Sequence, residues 1–347
     1  MDYVDILKRA ASLTIKHKAL WPFGFFLAFF MGGGSISNLS SSSNWNTSSD
    51  DFSNIPMPPM PNIPEVDPTL IWVIGGIILT LCCLLTIVGI FVTVISRTAI
   101  IGMVYQIEDD GKTSVKDGWN IGFSQKGLNL FLINLMITVP MTIIYFILML
   151  LAMSPLLLAL AESEMMKFTG MALGILFLVL VIFFIFVFDL IVVAPIKEVS
   201  WRYCTIHEMS SMGSLTKSFA LFQAKLKDIF IAVLILIGIG ILWAFVHLFI
   251  LLILMFIGAI VGGIPALIGY LITQKAMTAV IAGLPFLFLA ILIPDLFITG
   301  LYLIFRSAFW TLFFQDLTYV KEASSEAKVY IENLVGDDDI PDIIEQF

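Results

Sequence analysis

The sequence predicts an all-α, polytopic membrane protein with about six transmembrane helices, and three observations support this prediction. Of the 347 residues, 59% are apolar and 13% are charged, whereas soluble globular domains are about 45–50% apolar and about 25% charged. The mean hydropathy is +1.02, and 30 phenylalanines supply more apolar surface than one water-soluble core can bury. The few charged residues separate long apolar stretches. An ordinary soluble domain is therefore excluded.

The uncharged stretches have the lengths of membrane-spanning helices, because about 20 apolar residues are needed to cross about 30 Å of hydrocarbon. Residues 229–274 carry no charged side chain and would form one helix of about 69 Å. We therefore expect a break at Gly262-Gly263-Ile264-Pro265, followed by an interfacial or re-entrant segment; eight spans are the alternative. The predicted transmembrane domain is residues 19–315, with spans at residues 19–34, 70–96, 129–153, 168–195, 229–261 and 276–314.

The Lys and Arg residues predict the orientation, because cytoplasmic loops of membrane proteins are enriched in positive charge. With six spans and a cytoplasmic N-terminus, 16 of the 18 basic residues lie on the inner side, and only Lys167 and Lys275 lie outside. We therefore expect both termini in the cytoplasm. Residues 1–18 are predicted to be a cytoplasmic amphipathic helix and not a cleaved signal peptide, because they have counterparts elsewhere in the chain.

Three segments share one layout, an amphipathic stretch rich in lysine that runs directly into a pair of spans. They cover residues 5–21, 115–131 and 215–230. Two outgoing spans also end alike, since Arg97-Thr98-Ala99 matches Arg306-Ser307-Ala308, and a glutamine follows nine residues after each arginine. These patterns predict three repeats, each built from an interfacial amphipathic helix and a helical pair.

The amphipathic segments also predict a basic collar at the inner membrane boundary. Such a collar would attract anionic lipid of the inner leaflet by about 1 kcal/mol per basic residue; the alternative is plain anchoring at the interface. Membrane lipid is the expected partner, no nucleic acid is expected, and nothing identifies a protein partner. The predicted collar consists of Lys8, Arg9, Lys16, Lys116, Lys126, Lys217, Lys225 and Lys227.

Several short motifs resemble a group of bacterial polytopic repeat membrane proteins. They are ALWPFGFF at 19–26, SVKDGW at 114–119 and SLTKSFALFQAKLKDIF at 214–230. The group is similar to the membrane domain that is attached to some glycerophosphodiester phosphodiesterases. In those enzymes the hydrolase is a separate soluble domain, so the resemblance implies no catalytic residue in this chain. It does imply a location in the bacterial cytoplasmic membrane.

Two segments outside the spans have distinctive compositions. Residues 32–69 are rich in Ser and Asn and then in Pro, without Lys or Arg, and we expect a disordered outer loop that becomes partly extended. Residues 316–347 form a polar tail that is acidic at Asp337-Asp338-Asp339, and we expect it to lie in the cytoplasm. A solvated end is the default interpretation of this tail, and a docking segment is the alternative.

Few ionisable side chains lie within the predicted spans. A carboxylate at the middle of the bilayer costs about 2.5–3.5 kcal/mol on insertion scales, so it faces the bundle interior and has a partner or a role. Residues 295, 299, 302 and 306 lie on one helix face. They predict a polar seam for a proton, ion or small solute; interhelical hydrogen bonding is the alternative. The candidate seam consists of Asp189, His247, Asp295, Thr299, Tyr302 and Arg306.

No motif for catalysis, metal binding or cofactor binding is recognised. His207-Glu208 lacks the second histidine of a zincin helix, because residue 211 is serine. No paired nucleophile and base is recognised, so we do not expect an enzyme. The sequence favours a non-enzymatic membrane scaffold or accessory protein, and a transporter or channel-like protein that uses Asp189 and Asp295 is the alternative.

Overall fold

The computed structural model describes residues 2–31, 68–160 and 163–335, and this part of the chain is almost entirely helical, with no β-strand. The prediction of an all-α helical membrane protein is confirmed. In chain order the α-helices are α1 (Tyr3–Lys16), α2 (Trp21–Met31), α3 (Pro68–Asp110), α4 (Val115–Gly122), α5 (Gln125–Met153), α6 (Glu164–Phe188), α7 (Ala194–Ile206), α8 (Ser211–Ala224), α9 (Leu226–Thr273) and α10 (Ala276–Val335). A π-turn at Asp189–Val193 joins α6 to α7, and 3-10 turns lie at Lys18–Leu20 and Ser154–Leu160.

Five helical segments of the described residues are long and apolar enough to cross a membrane. They are Gly75–Asp109, Gln125–Leu157, Met165–Ile206, Leu226–Thr273 and Ala276–Thr318. The first predicted span, residues 19–34, corresponds to the shorter apolar segment Lys18–Met31, and residues 32–34 lie outside the described part. That segment is about 21 Å long at 1.5 Å per residue, which is less than the hydrocarbon thickness of about 30 Å.

The three short helices α1, α4 and α8 begin at side-chain caps. Asp2 accepts from the backbone N–H of Val4 at 3.0 Å at the start of α1, and Ser114 and Asp117 form a reciprocal capping box at the start of α4. Ser210 accepts from Gly213 N–H at the start of α8. After each of these helices, a short interruption leads into an apolar helix. This order of elements matches the layout of the predicted internal repeat, and the repeat itself stays a prediction.

The buried core lies at the end of the bundle where α1, α4, α7 and α8 gather. Ile6 and Ala10 of α1 are buried in one cluster with Ile304, Phe309 and Phe313 of α10. A second cluster joins α3, α5 and α7, and a third joins α7, α8 and α10. The apolar face of α1 is therefore covered by protein.

Away from this core the helices expose apolar side chains over long surfaces. Residues 75–88 of α3 are exposed at every position, and most of α6 and of the middle of α9 exposes Leu, Ile, Val and Phe. Soluble monomers rarely expose contiguous apolar surfaces of this extent, whereas lipid tails cover such surfaces in a membrane. The exposed apolar surface therefore supports the assignment of a membrane protein.

The expected break at Gly262-Gly263-Ile264-Pro265 is wrong, because α9 continues through Pro265 to Thr273. Gly262 faces α10, where a Cβ on Gly262 would meet the Leu287 side chain at 2.5 Å and the Gly283 carbonyl at 2.9 Å. Small residues let two membrane helices approach this closely, and a packed neighbour allows a helix to tolerate an internal proline. The resulting helix is about 72 Å long, so it extends beyond the hydrocarbon core or tilts across it.

The predicted loop lies largely outside the described residues, and residues 336–347 of the predicted tail also lie outside them. Of the outer loop, residues 32–69, only the last two are described, and they belong to the first turn of α3. Helix α10 continues without interruption from the last predicted span to Val335, so the first part of the tail predicted at 316–347 is helical.

The packing of α9 on α10 generates a prediction with a matched control on the same helix. Gly262→Ala places a methyl group against the backbone of α10, and we expect the free energy of unfolding to fall by about 1–3 kcal/mol. At Gly263 nothing lies within 4 Å of the added Cβ. Gly263→Ala should therefore leave stability unchanged or raise it by less than about 1 kcal/mol through helix propensity. Thermal unfolding in one detergent measures both; equal losses would contradict the assigned helix face.

Candidate functional site

Glu198 lies at the centre of a charged group inside the helical bundle. Its carboxylate accepts from the Arg202 Nη1 at 2.7 Å, one turn further along α7. The Arg97 Nη1 on α3 lies 3.8 Å from the other carboxylate oxygen. Arg202 is fully buried, and its Nη2 also donates to the Ser307 carbonyl of α10 at 3.0 Å. These residues, called the Glu198 cluster below (Arg97, Glu198 and Arg202), connect α3, α7 and α10.

A cavity of about 480 Å³ lies beside the Glu198 cluster, and we call it the large cavity. It is bounded by α2, α3, α5, the π-turn with α7, and α10. Its charged lining residues are Arg97, Asp189, Lys197, Glu198 and Arg306. Apart from the α2 residues, which belong to the shorter apolar segment, the lining comes from helices that are long and apolar enough to cross a membrane. These helices therefore bring five charged side chains around one cavity.

Helix α5 contributes a row of neutral polar side chains to the large cavity. Asn134, Thr138, Thr142 and Tyr145 follow the i, i+4, i+8, i+11 spacing, which puts them on one helix face. All four line the cavity. The Tyr145 hydroxyl donates to Asp189 at 3.3 Å, and the Lys197 ammonium donates to the Thr138 hydroxyl at 3.3 Å. These hydrogen bonds connect α5 with Asp189 in the π-turn and with Lys197 in α7.

The π-turn at Asp189–Val193 explains why Asp189 and Lys197 line the same cavity. In a regular α-helix, residues eight positions apart point about 80° away from each other. A π-turn closes its hydrogen bonds over five residues. The chain therefore rotates through a smaller angle per residue, which reduces the angle between the two side chains. Asp189 and Lys197 both line the large cavity. Such turns occur frequently at functional sites.

Trp201 lines the large cavity, and its ring lies against two of the cationic groups there, Arg97 and Lys197. The Arg97 guanidinium lies 4.0 Å and the Lys197 ammonium 5.5 Å from the ring centre. Both distances are within the range of cation–π attraction, which is about 2 kcal/mol or more when the pair is desolvated. The indole N–H of Trp201 is buried and has no hydrogen-bond partner among the described residues.

A second, small cavity of about 200 Å³ lies between α7, α9 and α10. Tyr302 and Gly240 line it, together with Trp310. Glu198 and Arg306 line both cavities, so their side chains belong to the wall that the cavities share. The large and the small cavity are therefore separated by ionisable groups.

A titratable pair lies next to the small cavity, between α9 and α10. His247 Nε2 is 2.8 Å from Asp295 Oδ1. Trp243, one turn before His247, stacks on the imidazole with ring centres 5.9 Å apart and on Tyr302 with ring centres 4.7 Å apart. An aromatic stack thus connects the His247–Asp295 pair to the small cavity.

The predicted seam residues fall into two groups. His247, Asp295 and Tyr302 lie together on the α9–α10 side, whereas Asp189 lines the large cavity with Arg306. Tyr302 and Arg306 meet at the small cavity. Thr299 lines neither of the two cavities.

Sequence reasoning missed the centre of the site. Glu198 and Arg202 are close to Lys197 in the sequence, and all three look like the charged residues that follow the end of a membrane span. Two signals could have identified them. The first signal is the polar row on α5. The second is the position of Arg202 after the second outgoing span, which corresponds to the positions of Arg97 and Arg306 at the ends of the first and third outgoing spans.

The predicted basic collar is divided between paired and exposed residues. Arg9 pairs with Glu108, and Lys126 lies 2.9 Å from the Glu208 carboxylate. The hydrogen bond from Lys126, together with its charge, holds the pKa of Glu208 below its usual value. Lys225 is half-buried, and the exposed members are Lys8, Lys16, Lys116, Lys217 and Lys227.

Among the described residues, no group of three or more His, Cys, Asp or Glu side chains is placed to hold a metal ion. Comparison with known proteins found no match to a family model, to a curated protein or to a solved structure.

The Glu198 cluster generates a prediction about stability. Glu198→Ala leaves Arg202 buried without its carboxylate, and breaking a buried ion pair on one side costs about 3–5 kcal/mol. Glu208→Ala is the matched control, because its side chain is 71% exposed and its ion pair is at the surface. We expect a clear drop in the unfolding temperature for Glu198→Ala alone, measured in detergent. A temperature equal to that of the control would mean that the cluster does not hold the helices together.

Proposed function

We propose that this chain is an integral membrane transport protein that admits an ion or small polar solute to the large cavity. The observation that carries the proposal is a cavity of about 480 Å³ lined by Arg97, Lys197, Glu198 and Arg306 within apolar helices. Small-molecule sites are typically cavities of about 300–1,000 Å³ with a few convergent polar groups. Both the volume and the lining of the large cavity meet this description.

The arrangement of the charges favours transport over interhelical bonding. In a purely structural role, each costly intramembrane charge should find an opposite charge. Arg202 and Glu198 do so. Among the described residues, however, no carboxylate lies within ion-pair distance of Lys197 or of Arg306, although both line the cavity. Cationic groups that line a cavity without an ion pair are available to a solute.

The two cavities and the His247–Asp295 pair suggest a route through the bundle. A solute in the large cavity would meet Glu198 and Arg306, which also line the small cavity. Beyond the small cavity, the Tyr302–Trp243 stack leads to His247 and Asp295. In transporters, buried histidines and carboxylates form proton relays. We propose the same role for this pair.

A scaffold that organises anionic lipid is the second candidate function, and the five exposed collar lysines favour it. Two observations weigh against it as the main function. The buried side chains of α1, among them Ile6 and Ala10, pack on protein, and Arg9 and Lys126 are engaged by carboxylates. If lipid organisation were the function, charge reversal at Lys217 and Lys227 should disrupt it and the cavity residues should be dispensable.

The proposal retains the predicted topology, in which the protein lies in the bacterial cytoplasmic membrane with both termini inside. Under that topology, reporter fusions at Asp50, Met165 and Ile268 should report an outer location, and a fusion at Tyr330 an inner one. The distribution of Lys and Arg is the physical reason. An outer signal at Tyr330 would contradict the topology.

Cysteine accessibility tests the proposal without knowledge of the solute. In a background with Cys82, Cys83 and Cys204 replaced by alanine, Thr138→Cys and Thr142→Cys place a thiol on the cavity wall. The adjacent Val139→Cys and Ile143→Cys place one on exposed apolar positions outside the cavity lining. Because thiolates react and thiols in apolar surroundings stay protonated, a charged thiol reagent should modify the cavity positions about tenfold faster or more.

The measurement is the rate of modification in membrane vesicles by a charged, membrane-impermeant methanethiosulfonate. A fast reaction at both cavity positions and a slow reaction at both neighbours would support a water-filled route. Equal rates within each adjacent pair would mean that water and solutes do not enter the large cavity, and the transport proposal would fail.

A further inference from the structure

We infer that the large cavity binds an oxyanion group, such as a phosphate or carboxylate, and selects against cations. The inference rests on the proposed function and specifies its substrate class. Its basis is the balance of charge around the cavity. Three cationic side chains, Arg97, Lys197 and Arg306, line it against the two carboxylates of Asp189 and Glu198.

Among the described residues, neither carboxylate forms an ion pair with Lys197 or Arg306. The Glu198 carboxylate is engaged by Arg202 at 2.7 Å, a fourth cationic group whose side chain is completely buried. Asp189 accepts from Tyr145 at 3.3 Å. Counting Arg202, four cations face two carboxylates, so the site carries an excess of positive charge. An anion bound there would supply the missing negative charge.

The polar residues of the lining also include groups that can donate hydrogen bonds. Thr138 and Thr142 have hydroxyl groups, Asn134 has an amide N–H₂ group, and Arg97 presents its planar guanidinium. Arginine and lysine together with hydroxyl and amide donors are the groups that hold phosphate and carboxylate oxygens. Hydrogen bonds to a charged group contribute more than those between neutral groups.

The size of the cavity indicates a ligand larger than a bare ion. At about 30 Å³ of liquid volume per water molecule, a cavity of about 480 Å³ has room for about 16 waters. Other lining residues are apolar and include Leu27, Met31 and Leu303. An oxyanion attached to an apolar body would match both parts of the wall. This body could belong to a small organic anion or to an anionic lipid whose headgroup enters the bundle.

The first experiment measures stabilisation of the purified full-length protein in a neutral detergent. A ligand that binds only the folded state stabilises it by RT ln(1 + [L]/Kd), so the unfolding temperature rises with the ligand concentration. The probes are sodium phosphate, compared with sodium chloride at equal ionic strength, and phosphatidylglycerol, compared with phosphatidylcholine. We expect a rise of a few degrees with phosphate, with phosphatidylglycerol, or with both.

Two variants assign the effect to the cavity. Lys197→Gln removes a cation that has no ion pair, so folding should be retained, and it should reduce the shift at least severalfold. Lys217→Gln, on the exposed surface of α8, should leave the shift unchanged. A response to phosphate assigns a soluble anion, and a response to phosphatidylglycerol alone assigns a lipid headgroup. No shift with either probe, or an equal shift in Lys197→Gln, would overturn the inference.

A second measurement separates this inference from the proposed function. In the Thr138→Cys protein, an anionic sulfonate thiol reagent should react several times faster than a cationic trimethylammonium reagent, and Lys197→Gln should remove the difference. If the cysteine is accessible but a cationic reagent reacts equally fast, the transport route stands and the anion inference fails. If neither reagent reaches the thiol, the transport route fails instead.

Discussion

The ion pair between Glu198 and Arg202 is the interaction on which the geometry of the site depends. A completely buried guanidinium needs acceptors, and Arg202 finds them in Glu198 of its own helix and in the Ser307 carbonyl of α10. Arg97 of α3 approaches the same carboxylate. Because an unpaired buried charge is so costly, α7 cannot rotate away from α3 and α10 without losing these contacts. This constraint directs Lys197 and Trp201 toward the large cavity.

The helical membrane architecture could be predicted from the sequence because it depends on local properties. Apolar length and the spacing of charges determine which segments can cross hydrocarbon, and these can be counted along the chain. The break predicted at Pro265 failed for a long-range reason. A glycine and a proline disrupt an isolated helix, but Gly262 packs against Gly283 of α10, and this contact stabilises the continuous helix.

The candidate site could be predicted only in part, because it depends on contacts between distant residues and on a local irregularity. The His247–Asp295 pair follows from the rule that intramembrane ionisable groups find partners. The Glu198 cluster does not, because Glu198 and Arg202 resemble the charged end of a span. Their partners on α3 and α10 are about 100 residues away. The π-turn that places Asp189 and Lys197 on one cavity has no recognised signature in the sequence.

The position one helical turn before each of three arginines explains the excess of positive charge. Arg97, Arg202 and Arg306 are the arginines of the three outgoing helices, and the residues four positions earlier are Thr93, Glu198 and Tyr302. All three of these residues line one or both cavities. Only the middle helix has a carboxylate there, and Glu198 pairs with Arg202 and Arg97 but not with Arg306. A carboxylate at each position would have neutralised the bundle and closed it around structural ion pairs. Hydroxyl groups at two of them leave cationic groups that an anion can approach.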